Sequence, residues 1–403
     1  MKTLYYELRK EFIRKSFLLI FGTFVIANVF LMEWDYHTNG GFSEDYVKAY
    51  VSDKQNLYYG ELHRKLEGKL DAEKVSYISD EYLKDKKAVS GDYSKEYDET
   101  THTGYIWGDY AVINSYFYSP IKYLVTYKEQ NDLLLRNAKQ NINFFTEKNN
   151  SYEVEKSKFI VKHYKDRNPL LFYETSGWKN LFLYDKSDMF ILILLLLGIL
   201  PSFSLERKNA METIQMTCAP GSKLYIPIKI MAHALMAIVF ELVFSICNFI
   251  VINSEYGLTG SKMMLYSINA YQYTPFNMSV LEFYLVLVLS KCIGFAIIAI
   301  VMTLIARLVR NTYAAFLIII GFVCSFLYFS GFNGGITMRE KILTLISPFS
   351  LLKIGEMSTS LGEIKICGHF LPFSNCLLGI QTILLILVFI IFYVIEKREK
   401  EIR

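Results

Sequence analysis

Six long apolar runs punctuate the chain: Phe17 to Met32, Met189 to Leu205, Tyr225 to Ile252, Leu281 to Ala306, Thr312 to Ser330 and Leu371 to Ile395. A helix rises about 1.5 Å per residue and the hydrocarbon of a bilayer is roughly 30 Å thick, so about 17 to 25 apolar residues make one crossing. The pattern predicts a polytopic α-helical membrane protein with six transmembrane helices. The first run is the shortest and needs its flanks to cross. It is followed by Glu33, Trp34 and Asp35, with no small-residue cleavage site, so it reads as a span and not as a removable signal peptide. A seventh apolar piece, Leu343 to Ile354, is too short to cross and is interrupted by Pro348. It reads as a re-entrant or interfacial segment, with a packed loop as the plainer alternative.

The polar stretches predict the rest of the layout. In residues 1 to 16, Leu4, Leu8 and Phe12 recur every fourth position while Arg9, Lys10, Arg14 and Lys15 fall elsewhere, the pattern of a basic amphipathic helix lying at the membrane interface. Residues 33 to 188 are long enough for a domain of their own. The stretch from Lys122 to Asn143 lacks glycine and proline and strings leucines among polar residues, so this domain is expected to be mainly α-helical. Nineteen of the 30 tyrosines lie in it, which suits packing by aromatic bodies with wet hydroxyls. Trp178 and Tyr184, just before the second run, suit an outer aromatic belt. The 206 to 223 connection opens on Glu206, Arg207, Lys208 and Asn209, too polar for hydrocarbon, and then places Met211, Ile214 and Cys218 on one helical face. That predicts a short amphipathic helix at the membrane surface, stopped by Pro220 and Gly221.

Lysine and arginine in the short connections set the orientation. With the N-terminus inside, residues 1 to 16, 206 to 223, Arg307 with Arg310, and the 396 to 403 tail carry fourteen, and the opposite short loops carry five: Lys262, Arg339, Lys341, Lys353 and Lys365. The positive-inside rule then puts both termini in the cytoplasm and the 33 to 188 domain outside the cell. The net charge of +4 divides accordingly: residues 33 to 188 hold 22 basic and 26 acidic side chains, net −4, leaving +8 for the membrane part. Such a distribution anchors a protein to a membrane and is no nucleic-acid footprint. All six cysteines lie outside the large loop, so no disulfide framework is expected there, which fits a bacterial cell membrane.

Four polar residues fall within predicted spans: His233, Glu241 and Asn248 in the third, and Lys291 in the fourth. Ionisable groups at depth are costly and face protein, water or one another. Glu241 and Lys291 lie at similar depths, which predicts an ion pair between them. A structural tie between helices is the favoured reading over a place on a substrate path, and His233 reads as an interhelical hydrogen-bond partner. No catalytic constellation, phosphate-binding glycine loop or metal-ligand spacing occurs in the sequence, so the chain is expected to be no enzyme, with no catalytic, cofactor-binding or metal site of its own.

Glu206, the Asn209-Ala210-Met211 triplet, Gly221, Lys223 and Lys229 resemble the loop between the second and third spans of type-two ATP-binding cassette permeases, with Ala210 where that family usually has glycine and Lys223 where arginine is common. The six-span layout with a large insert after the first span, and the Gly177 to Phe182 re-entry segment, are similar as well. What the resemblance implies is a permease subunit of an exporter for peptides, antibiotics, lipids or ions. It would sit in the lipid membrane and pair with a second copy or a similar subunit, and with two copies of a separate ATPase chain that binds ATP and Mg. Glu206, Arg207, Met211, Glu212 and Ile214 would then carry the coupling to that motor. The alternative is a mechanotransmission or sensing protein, whose motor moves the external domain and transports nothing.

Overall fold

A computed structural model describes residues 2–39, 53–91, 101–102, 104–211, 214, 221–331, 337–366 and 369–402. It contains six helical segments long and apolar enough to cross a membrane: Lys15–Tyr36, Ser176–Lys208, Tyr225–Tyr256, Val280–Leu308, Thr312–Ser330 and Phe373–Ile390. They coincide with the six apolar runs: the first four extend beyond them, the fifth has the same limits and the sixth falls inside its run. The shortest run reaches spanning length because Lys15 and Ser16 before it and Glu33 to Tyr36 after it stay helical. Leu19, Ile26 and Phe30 on the first span, Leu317 and Ile318 on the fifth, and Ile383 and Ile386 on the sixth are exposed. An apolar surface of that extent is rare on a protein in water and is ordinary in hydrocarbon.

Spans three and four form the most extensive helix pair. The chain between spans five and six folds as a helix Met338–Ile346, a tight turn Pro348–Leu351 and a short helix Ile354–Met357. Pro348 cannot continue the first helix, so the apolar Leu343 to Ile354 piece straddles a break and returns into the bundle. Phe349, Leu351 and Ile354 are buried there. Gly294 of span four admits this turn: a Cβ at that position would stand 3.0 Å from Leu352 and 3.1 Å from Leu351. The freed backbone and hydroxyl groups find partners, Ser347 Oγ donating to Phe326 O at 2.7 Å and Gln381 Nε2 to Leu345 O at 2.7 Å.

The domain between spans one and two is helical in its described part, with Asp53–Leu66, Ala72–Gly91, Ser119–Glu147 and Ser151–Tyr164 as its main helices. A wide π turn, Ile113–Tyr118, joins Ile106–Val112 to the long helix, just where Pro120 withholds a backbone donor. Leu62, Leu66, Ile78, Phe117, Ile121 and Phe172 belong to its core, and a two-residue antiparallel pairing of Gly68–Lys69 with Leu171–Phe172 closes it. Tyrosine hydroxyls tie it to the connection between spans three and four: Tyr123 to Tyr266 O at 2.7 Å and Tyr164 to Tyr273 O at 2.7 Å. Arg167, buried, adds a bond to Thr274 O at 2.7 Å. Lys156 pairs with Glu363 at 2.8 Å and Lys365 with Glu155 at 2.9 Å, so the Glu363–Ile366/His369–Pro372 hairpin before span six also holds the domain. The segments after spans one, three and five thus gather at one end of the bundle.

Trp178 is a correction to the aromatic-belt expectation. It is buried, its Nε1 donates to Thr259 O at 2.7 Å, and Phe182 and Phe249 surround it. The indole proton finds a carbonyl of the three–four connection there, and with that bond made nothing holds the ring at the surface.

Within the domain, Asp109 accepts from Tyr59 at 2.9 Å and from the His102 amide at 2.8 Å. Burial, reinforced by the charges of Asp109 and Glu81 and opposed by Lys84, pushes the half-buried Asp85 up to about 6. A carboxyl raised in this way binds its proton more tightly folded than unfolded, so it favours the folded domain below about pH 4 and the advantage is lost as pH rises to about 6. Asp85→Asn should therefore make the domain more stable above pH 6, by about 1 kcal/mol after allowance for solvent screening, and leave it unchanged at pH 4. Hydrogen exchange of the Ala72–Gly91 helix in the full chain measures this, and equal protection at both pH values would contradict it.

Candidate functional site

At the opposite end of the bundle the N-terminal helix Lys2–Glu11 lies across spans two and three. Phe12, fully buried, anchors it against Gly198, where a Cβ would come within 2.3 Å of the Phe12 ring. Glu7 and Glu11, one turn apart, then face Lys229 and His233, also one turn apart on span three.

Lys229 is fully buried, in a layer where an unpaired charge is very costly. Its ammonium sits 2.8 Å from Glu11 Oε1, 3.1 Å from Glu206 Oε2 and 3.7 Å from Glu7 Oε2. Ser202 of span two bonds both this ammonium and Glu11. The second oxygen of Glu11 lies 2.8 Å from His233 Nε2, while His233 Nδ1 lies 2.7 Å from the Thr303 hydroxyl of span four. Glu206 also accepts from Lys10 and from the Tyr225 hydroxyl. The Phe203 ring stands 4.7 Å from the ammonium and closes the site from the side. Glu7, Glu11 and Glu206 each bring a carboxylate oxygen within 4.8 Å of the other two, a spacing that would suit a metal ion. The cation among them is the Lys229 ammonium.

Burial works against ionisation of Glu11, but the hydrogen bond from His233 and the charges of His233 and Lys229 outweigh it and hold the carboxyl well below its usual range. For Glu7 burial is the larger effect and raises it, against the pull of Lys229 and Lys10.

The end of span two departs from the expected surface helix. Span two stays helical through Lys208 and ends at Asn209. Glu206 is therefore the buried last turn of a span and not the start of a separate helix. Arg207 turns back and donates to the carbonyls of Ala306, Arg307, Val309 and Arg310 at 2.7 to 3.1 Å, capping span four where its own backbone acceptors run out. Ala210 takes a left-handed φ of 54°, which costs a residue with a Cβ about 1 kcal/mol relative to glycine. A new helical turn opens at Met211, with Ile214 N–H bonding to Ala210 O at 3.3 Å. Met211 and Ile214 are 43% and 61% exposed. Glu212, Cys218 and Pro220 lie outside the described residues.

A second polar layer lies nearer the domain. Lys291 binds Asp188 at 2.8 and 3.0 Å and Tyr184 O at 3.2 Å, and Glu241 instead accepts from Ser245 at 2.6 Å. The expected Glu241 to Lys291 ion pair is therefore replaced: Asp188, in the first turn of the helix Lys186–Lys208 of span two, takes the ammonium instead. Asn248 bonds Asn28 of span one at 2.7 Å and Ser187 at 3.1 Å. Tyr184, whose hydroxyl bonds Asn28 at 3.0 Å, completes the layer.

Glu7, Glu11, Ser202, Tyr225 and Thr303 were not foreseen from the sequence, although the Glu7/Glu11 and Lys229/His233 spacings match. Protein-family models, curated proteins and solved structures were all compared with this chain, and none matches.

Removing one partner of a buried charge network leaves the others uncompensated. Lys229→Met should cost about 3 kcal/mol, and adding Glu11→Gln should restore part of that instead of deepening it. Unfolding in dodecyl maltoside titrated with SDS reads the cycle, and strictly additive losses would mean that the two groups do not act together.

Proposed function

We propose that this chain is the membrane-spanning permease subunit of an ATP-driven exporter in a bacterial cell membrane, with both termini cytoplasmic. In this reading two copies, or one with a similar partner, join two separate ATPase chains that bind ATP and Mg, and the cargo is a peptide, antibiotic, lipid or ion. The observation that carries the proposal is the exposed Met211 and Ile214 turn set directly after Glu206 and Arg207, which are bonded to the N-terminal helix and to spans three and four. A motor bearing on that turn has a stiff, buried connection into the bundle. Of the residues expected to carry the coupling, Met211 and Ile214 are the ones offered to a partner, and Glu206 and Arg207 transmit.

A second reading, mechanotransmission without transport, is favoured by the docking of the domain after span one onto the three–four connection through Tyr123, Tyr164 and Arg167. Movement of the spans would move that domain.

Met211→Glu together with Ile214→Glu should abolish co-purification of a P-loop ATPase with the tagged protein from its native membrane and leave the thermal stability unchanged. Cargo-stimulated ATP hydrolysis with accumulation in vesicles would mark an exporter, and hydrolysis without accumulation the second reading. Absence of any ATPase from the unsubstituted complex would defeat both.

A further inference from the structure

Where spans one, two and three reach the domain end of the bundle they enclose a cavity of about 350 Å³. Tyr36 and Tyr256, the last residues of the first and third spans, form one side, with ring centroids 4.9 Å apart and planes at 81°. Tyr184, Asp185 and Lys186, at the break in the second span, form the other, and Asp35 completes the rim. Met32 and Ile252 make an apolar floor.

The charges do not balance. Lys186 is engaged by Asp35 in a salt bridge across the mouth. Asp185 is exposed, and its side chain makes no cap to the helix it precedes. Its backbone carbonyl accepts from the Asp188 N–H at 3.0 Å, but among the described residues no cation lies within salt-bridge distance of its carboxylate and no donor bonds that carboxylate. Two carboxylates against one ammonium leave the rim at net −1, next to three tyrosine rings. A negatively charged rim over aromatic walls and an apolar floor is the chemistry that holds an alkylammonium group, which loses less hydration than a metal ion and is attracted by ring faces. The position at the ends of two spans is the level at which lipid headgroups lie.

We propose that this cavity binds an alkylammonium group, supplied either by the amine headgroup of a lipid or by a soluble amine. The inference is independent of the transport reading. The asymmetry of the rim yields effects of opposite sign. Asp185→Asn removes the unpaired carboxylate, whereas Lys186→Gln releases Asp35 and adds one.

The test uses the full chain in dodecyl maltoside, with choline as probe, followed by saturation-transfer NMR of its methyl signal at constant ionic strength. Asp185→Asn should weaken binding about tenfold and Lys186→Gln should tighten it by a similar factor. The neutral isostere 3,3-dimethylbutanol should bind poorly to all three proteins. Nanodiscs distinguish the sources: retention of phosphatidylethanolamine over phosphatidylglycerol in native mass spectra, displaced by choline, indicates the lipid headgroup, and choline binding without lipid retention indicates a soluble amine. Equal choline affinity in the three proteins, or equal binding of the neutral isostere, overturns the proposal.

Discussion

Everything at one end of this molecule depends on the Lys229 ammonium. An ammonium taken from water into a packed bundle costs several kcal/mol even after relaxation, and the cost is offset only by close opposite charge and by hydrogen bonds to all three of its protons. No single element supplies that. Glu7 and Glu11 come from the N-terminal helix, Ser202 and Glu206 from span two, and the lysine itself from span three. The N-terminal helix therefore belongs to the core of this end, although its sequence reads as an amphipathic strip fit for the headgroup layer. Phe12 against Gly198 sets its position, and the carboxylates set its rotation.

The fold was largely legible because hydrocarbon imposes a length. Six apolar runs became six helices long and apolar enough to span, and the fifth has the same limits in sequence and in structure, Thr312 to Ser330. The first run looked short because its ends are polar; Lys15, Glu33 and Asp35 stay helical with their charges at the rim. The short piece around Pro348 was legible as too short to cross and broken by a residue that lacks an amide proton, and it folds as a helix, a tight turn and a short helix. The network was not legible, since its bonded partners are separated by up to 222 residues and a helical period says which residues share a face without saying what that face meets. The matched Glu7/Glu11 and Lys229/His233 spacings were the available signal.

Depth along a span proved a weaker guide than rotation about it. Glu241 and Lys291 were paired by depth, yet Lys291 turns to Asp188, which the apolar run of span two excluded because that run starts at Met189. At the connection after span two, the left-handed backbone of Ala210 was not foreseen from the sequence. The family's usual glycine falls where Ala210 adopts a left-handed backbone, the conformation that glycine accepts without strain. The resemblance treated Glu206 and Arg207 as surface residues, whereas burial of the first and the carbonyl contacts of the second make them interior joints.

Ties of different strength join different parts of the bundle. Spans one to four are joined by two charged pairs, Lys229 with Glu206 and Lys291 with Asp188, and by two polar bonds, His233 with Thr303 and Asn28 with Asn248. Spans five and six are held through the returning segment by neutral bonds, Ser347 to Phe326 O and Gln381 to Leu345 O. A neutral hydrogen bond is worth about 1 kcal/mol net, whereas breaking a buried ion pair costs about 3 to 5. The charged ties are thus concentrated in the first four spans, while the last two also meet them by apolar packing, Ala315 and Ile319 sharing a core with Phe295 and Ile298, and Leu377 with Leu287. The Arg207 guanidinium holds the carbonyls of Val309 and Arg310, immediately before span five begins.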